Sequence, residues 1–331
     1  MNRASRKAVD HKAVFLLPAR LKKTFCWLAL CIGLYPWPAL ADSDLTVVLS
    51  GNTDYYLEVA DAFRNTLAAG QSRVDVRLLK ADQLAREEVP ADRLVVAIGT
   101  EATAKVLAEF PESPLLSLFV TESAWRNLMA RPHRHTGRRA VIFINQPLDR
   151  FIYLATLLKP QSETLATVFG PASKRQRQAF AAQAQHQGLQ LISRTMNIDA
   201  NPVATLTPLF NNADIFVALP DQGLFNRTVA RWALYLGFKY KIPLVGFSRS
   251  YTQAGALASL FSSPENIGRQ GGEWVADYFR DDDENLWREF RPRYFTVEIN
   301  PSVARALGIA IPHEEAIYQQ LVERIDKDER P

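Results

Sequence analysis

The strongest constraint on this chain is a repeated exchange of hydrophobic period. Nearly continuous runs of Val, Ile, Leu and Phe, each of strand length, alternate with longer stretches whose apolar residues recur at i, i+3 and i+4. The short runs fall at 45–49, 74–79, 94–98, 115–120 and 140–144, then at 165–169, 189–192, 214–219 and 243–247. Helical stretches between them include 56–67, 102–110, 148–158, 176–186 and 225–238. A strand buried on one face alternates apolar with polar residues. Continuous runs need cover on both faces, the condition of a parallel sheet between layers of helices. Alternation of this kind predicts open, doubly wound sheets. A fresh series begins after the helix at 148–158, and the joint Asn145-Gln146-Pro147 is too short for a flexible tether, so it reads as a hinge. The expected fold is α/β, with two Rossmann-like lobes built on parallel sheets. Beyond Gly255 the alternation gives way to a helix at 264–279, the acidic run Asp281-Asp282-Asp283-Glu284, a strand at 294–299 and short helices.

The N-terminus belongs to neither lobe. Residues 1–41 carry Arg3, Arg6, Lys7, Lys12, Arg20, Lys22 and Lys23, then an apolar stretch at 25–34, then a break at Pro36 and Pro38 before Ala39-Leu40-Ala41. That is the order of a secretory signal with an A-x-A cleavage site, and the apolar stretch is about half of the ~20 residues that span a bilayer. An uncleaved anchor is the alternative. A lipoprotein signal at Cys31 is disfavoured by the bulky Leu30 before it. Removal of the segment changes the charge balance. It holds seven of the 39 Lys and Arg and one of the 35 Asp and Glu, so the formal +4 becomes 32 cations against 34 anions. The basicity belongs to the export signal, which removes the main argument for nucleic acid. Both cysteines, Cys26 and Cys31, leave with it, so the mature chain has no disulfide, Cys-ligated metal or Cys nucleophile. The expected location is the periplasm.

Three blocks in the last third carry a family resemblance: Ile242-Pro243-Leu244-Val245-Gly246, Ala254-Gly255-Ala256-Leu257-Ala258-Ser259 and Ile267-Gly268-Arg269-Gln270. The ending adds Val297-Glu298-Ile299-Asn300, Ala304-Arg305-Ala306-Leu307-Gly308-Ile309 and Ile311-Pro312. In order and spacing these resemble the ABC-transporter substrate-binding family whose best-known members take aromatic amino acids. The resemblance implies a periplasmic binding protein type I-like fold, three crossovers between lobes, and a ligand held between them by hinge closure. It further implies a helix at 264–279 returning to the first lobe and a final strand in the second. The expected lobes are 42–145 with 254–285, and 146–253 with 286–331. The opening loop Ser50-Gly51-Asn52-Thr53-Asp54-Tyr55-Tyr56 departs from the family, which has His or Pro soon after its first strand, so ligand identity does not carry over.

In open parallel sheets, ligands bind beyond the carboxyl ends of the strands. The candidates are therefore Asn52, Thr53 and Tyr55 after the first strand, Thr100 and Glu101 after the third, and Thr121 after the fourth. In the second lobe they are Asp221, with Gln222 beside it, and Phe247, Ser248 and Tyr251. Thr100 reads as an N-cap whose helix start could hold a carboxylate, and Thr121 as a similar cap. Asp221 either caps the helix after it or pairs with an amino group on a solute. Tyr55 and Tyr56 are adjacent on a helix start, so one packs while the other is free to stack on ligand. Phe247 and Tyr251 read equally as core or cleft wall.

Enzyme readings fare worse. Gly246-Phe247-Ser248-Arg249-Ser250 begins as a nucleophile elbow but lacks its final Gly. His133-Arg134-His135 sits in a basic loop without carboxylates, and the acids at 281–284 lack EF-hand spacing. No cofactor, metal or catalytic residue is expected. The expected function is capture of a small, amino-acid-like solute by a monomer that hands it to an ABC permease or other inner-membrane partner. The alternative is a ligand sensor or adaptor of the same fold that signals to a receptor or kinase.

Overall fold

The computed structural model describes residues 45–70, 74–84, 89–132, 135–221, 223–280 and 284–329. The export segment read in 1–41, His133 and Arg134, Gln222 and the acids at 281–283 lie outside the described residues.

The first sheet contains β1 (Leu45–Leu49), β2 (Val76–Lys80), β3 (Val95–Ile98), β4 (Leu115–Val120) and β5 (Arg139–Phe143). Helices α1 (Asp54–Ala69), α2 (Thr100–Glu109) and α3 (Glu122–Met129) follow β1, β3 and β4. After α4 (Leu148–Leu158) the second sheet begins: β6 (Thr164–Phe169), β7 (Gln190–Thr195), β8 (Ile215–Val217), β9 (Leu244–Gly246) and β10 (Ala258–Phe261). Its helices are α5 (Arg177–His186), α6 (Pro202–Phe210), α7 (Arg227–Tyr240) and α8 (Arg249–Gln253). The chain ends in α9 (Pro264–Arg280), β11 (Glu289–Phe290), β12 (Thr296–Ile299), α10 (Pro301–Leu307) and α11 (Glu314–Glu329).

Both sheets have the same order. The first runs β2-β1-β3-β4-β5-β11 and the second β7-β6-β8-β9-β10-β12. Every pairing is parallel except β12 with β10. The inner strands β1 and β3 are buried along their whole length, while β2, at an edge, is half-exposed. Each lobe therefore has its own core: Leu45, Phe63, Ile98 and Leu118 in the first, Phe151, Phe169, Ile215 and Val245 in the second. Fully burying a side chain of this size contributes about 1.5–3 kcal/mol.

The lobe boundaries differ from those expected. Residues 258–261 form β10 beside β9 in the second sheet, not part of the first lobe. Ala and Ser at 258 and 259 lack the β-branched signature of a strand, which hid it. Residues 289–290 form β11 in the first sheet, held there by a bond from Trp125 Nε1 to Glu289 Oε1 at 2.9 Å. Between them α9 returns to the first lobe, where it lies close against α1. A Cβ on Gly268 would stand 2.3 Å from the carbonyl oxygen of Val59, and one on Gly272 2.8 Å from that of Phe63. Only glycine allows helices this near.

The sheets are thus joined three times, at 144–147, 262–263 and 291–295. A buried polar knot ties these crossovers together. Gln146 Nε2 donates to Ser262 Oγ at 2.8 Å and to the Tyr294 carbonyl at 3.0 Å. Arg150 Nη1 donates to Gln146 Oε1 at 2.7 Å and to the Pro292 carbonyl at 2.9 Å, and Ser262 Oγ donates to the Ile144 carbonyl at 2.8 Å. All three side chains are buried, so these partners stand in for lost water.

Candidate ligand-binding site

Parallel strands point all their carboxyl ends one way, and there the two lobes enclose a cleft of about 1000 Å³. The first lobe contributes Thr53, Asp54, Tyr55, Glu58, Phe119 and Thr121. The second contributes Pro220, Phe247, Ser248, Arg249, Ser250 and Gln253, with Asn145, Gln146 and Ser262 of the crossovers between.

Thr53 is the N-cap of α1, yet its side chain makes no capping bond, so its hydroxyl is available on the cleft wall. Tyr55 is 63% exposed and lines the cleft. Tyr56 turns inward and meets Phe119 edge-on at 6.1 Å. The tyrosine pair divides as helix geometry requires.

Phe119 was not visible in the sequence, where 115–120 reads as an unbroken strand. Its φ is 58°, and the β4–β5 ladder shifts register between Leu118 and Val120. A left-handed conformation in a bulky residue costs about 1–3 kcal/mol. The bulge re-aims the ring so that it lies against Tyr56 and lines the cleft.

Thr121 caps α3, its Oγ1 accepting from Ala124 N at 3.2 Å, and also lines the cleft. Asn145 Oδ1 accepts from Glu122 N at 2.8 Å, which fixes the first crossover against the same helix start. The α2 start differs from the sequence expectation. Thr100 is the first helical residue, not the cap; the cap is Gly99, with φ 94°. Ser50 Oγ reaches across from the end of β1 to accept from Ala102 N at 2.9 Å. One donor that a solute carboxylate would use is therefore already engaged. Thr100, Glu101 and Asn52 are exposed and do not line the cleft.

Asp221 takes neither role considered for it. It is fully buried, and its Oδ2 accepts from Ala172 N at 3.0 Å, Ser173 N at 2.8 Å and Ser173 Oγ at 2.7 Å. The cap of α7 is Asn226, whose Oδ1 accepts from the N–H groups of Thr228 and Val229. Asp221 instead fastens the loop after β6, and its neighbour Pro220 lines the cleft. Phe247 is both core and wall: it lines the cleft while packing on Phe225 at 5.9 Å and Tyr251 at 5.0 Å. Tyr251 is core, only 6% exposed, and burial pushes its phenol far above the ordinary range. Ser248 precedes α8 with an uncapped side chain and lines the cleft.

Among the described residues lining the cleft, Asp54, Glu58 and Glu265 are acidic and Arg249 is the one cation. Arg249 Nε is held by Glu298 Oε2 at 3.1 Å. Among the described histidines, His135, His186 and His313, none lines the cleft beside Ser248.

Solved structures share this architecture. A conserved domain protein from Vibrio cholerae is 18% identical, with 83% of this chain and 97% of that one covered at a TM-score of 0.55. The ABC domain in complex with L-Trp from Streptococcus pneumonia is 17% identical, with 83% and 98% covered at 0.53. CD0873 from Clostridium difficile, a substrate binding protein with adhesive properties in its ligand-free, open structure, is 15% identical, with 82% and 96% covered at 0.62. At such identities the likeness shows the fold alone. No curated protein sequence matches the chain. The sequence model of the family described as ABC transporter substrate binding protein matches residues 74–322, a span that takes in both sheets apart from β1. The chain belongs to the ABC transporter substrate-binding protein family.

Proposed function

We propose that this is a periplasmic solute-binding protein, exported by a cleavable segment at 1–41, that captures a small amino-acid-like solute for an ABC-type importer. The observation that carries this reading is the composition of the cleft. Aromatic rings enter it from both lobes, Tyr55 and Phe119 on one side and Phe247 on the other. Asp54, Glu58 and Glu265 lie on the first-lobe side, facing the ammonium end of a zwitterion, and Arg249 with Ser248 on the second serves its carboxylate. Thr53, Thr121 and Asn145 supply further polar contacts. A wall that mixes aromatic rings with many polar and charged side chains suits a small zwitterionic solute. The three crossovers and the knot at Gln146 form the pivot on which the lobes close. Capture is reversible and no bond is made or broken.

The test is a thermal-shift screen of the exported, processed protein, stripped of carried-over ligand, against amino acids, aromatic acids, short peptides, nucleosides and sugars. A ligand at about 100 times its Kd adds ~2.7 kcal/mol and raises Tm by several degrees. A shift confined to amino acids or their close analogues is the expected result. A shift with sugars alone would overturn the ligand class, and none across the library would overturn solute capture.

A further inference from the structure

A second hollow, of about 1490 Å³, lies between α7, α8 and α10 on the second lobe, reaching the cleft only at Phe247, Ser248 and Ser250. Its apolar lining includes Leu234, Ile242, Val303 and Leu307. Four cations also line it, Arg227, Arg231, Lys239 and Lys241, and no carboxylate does. All four are exposed, and among the described residues none takes part in an ion pair. From Asp221 to Glu265 the sequence has five basic residues and no acidic one between, in a chain that is slightly acidic once residues 1–41 are set aside. This flank is thus positively charged.

The same helix exposes large rings. Trp232 is 37% exposed, Tyr235 51% and Phe238 79%. Spacings of three and four place them on one side of α7 together with Arg231 and Lys239. Water solvates such rings poorly, and among the described residues nothing covers most of Phe238. Trp and Tyr rings settle at the boundary between headgroups and acyl chains, and Arg and Lys stems lie along apolar surface while their charges reach phosphate. A basic, aromatic helix face is the composition of an element lying in the plane of an anionic membrane surface. Two of the four cations are lysines, which protein interfaces deplete and anionic headgroups attract.

We infer that α7 and its flanking hollow form a docking face for an anionic lipid bilayer. This places the loaded protein on the membrane surface and does not depend on which solute the cleft takes.

The experiment is co-sedimentation of the exported, processed protein, its N-terminus checked by mass spectrometry, with vesicles of phosphatidylcholine and of phosphatidylcholine mixed with phosphatidylglycerol. Binding is expected only to the mixed vesicles and weakens as salt rises. Arg231→Glu with Lys239→Glu lowers it by about tenfold or more, and Phe238→Ser lowers it several-fold. A control of equal charge change on the first lobe and on α5, Arg64→Glu with Arg177→Glu, keeps most of the binding. Melting curves verify that each variant is folded. Absence of binding to the mixed vesicles, or equal loss in the control, overturns the proposal. So does binding to native membranes alone that protease treatment of those membranes abolishes, which would assign the face to a protein partner.

Discussion

The loops that follow the first strand of each sheet occupy equivalent places and are held in opposite ways. Both sheets reverse their strand order there, between β1 and β3 in one and between β6 and β8 in the other, which is where ligands enter folds of this type. In the second lobe the loop at 170–173 is closed on itself. Asp221 fills the crevice with its carboxyl group, taking two N–H groups and a hydroxyl on Oδ2, while Ser173 Oγ accepts from Gly170 N at 2.9 Å. In the first lobe the loop at 50–53 makes one such contact, from Ala102 N to Ser50 Oγ, and Thr53 is left uncapped on the cleft wall. One crevice is sealed by the protein's own carboxyl group; the loop of the other lies on the cleft wall. Two nearly identical sheets thus finish their first strand ends differently, one with a buried carboxyl group and the other with an uncapped loop.

The sharpest way to break the comparison is to remove the seal. Asp221→Ala leaves the buried N–H and hydroxyl of Ser173 without their acceptor, at about 1–3 kcal/mol each, and frees the part-exposed Ala172 N–H, with partial relief by water entering the gap. A net loss of ~3 kcal/mol and a Tm fall of several degrees is expected in calorimetry. Ser50→Ala at the matching point of the first lobe removes a single cap and costs ~1 kcal/mol. Equal losses at the two positions would mean that the loops are held alike.

Next in size is the knot that belongs to neither lobe. Gln146→Ala removes bonds to Ser262, the Tyr294 carbonyl and Arg150, three partners on different crossovers or their flanks. About 2 kcal/mol should be lost, with faster amide exchange at 262–263 and 291–295 than in either sheet. Protection that falls first inside one sheet would show Gln146 to be a part of that lobe's core rather than a pivot.

How far the sequence exposed all this depended on what each feature is made of. Continuous apolar runs gave β1 and β4 to the residue, because burial on both faces leaves a signal that needs no partner to be read. β10 was missed for the opposite reason: Ala258 and Ser259 are small to fit beside Gly246 and α8, and that context is tertiary. Tyr55, Phe247 and Ser248 were found on the wall because position after a strand is legible in one dimension. Asp221 could not be resolved, since its partners lie some fifty residues earlier in the chain. Phe119 carried no signal at all. A bulge depends on the neighbouring strand's register, and nothing in Leu-Leu-Ser-Leu-Phe-Val marks the residue that turns.

Phe119 also separates the two aromatic walls. Phe247 is supported by Phe225 and Tyr251, so its ring serves the second-lobe core as well as the cleft. Phe119 is held against its own backbone preference. Phe119→Gly should therefore lower solute affinity by about tenfold, ~1.4 kcal/mol, while relief at φ 58° keeps the stability change below that. Phe247→Ala should lower affinity as well and in addition cost ~2 kcal/mol of stability through lost packing. Affinity by calorimetry and Tm by melting separate the two. A Phe119→Gly protein that melts far lower but binds unchanged would place that ring in the core.

The smallest effect tests whether the second lobe uses the same device at its other end. Asp214, just before β8, accepts from Glu163 N and Thr164 N at 2.9 Å each and faces Lys159 Nζ at 3.6 Å. Burial pulls its carboxyl upward, but the two N–H donors and the lysine outweigh that and hold it below the ordinary 3.8. A depressed folded value means that the ionised form stabilises the fold. The contribution is complete above the unfolded value and disappears as pH falls through the folded one. Asp214→Asn should therefore melt lower than the parent by about 1–2 °C near neutrality, a modest figure because the side chain is 38% exposed and solvent screens it. The gap should close below about pH 4, as the parent's carboxylate takes up its proton. A gap that persists undiminished in acid would mean that Asp214 acts through shape and hydrogen bonding alone.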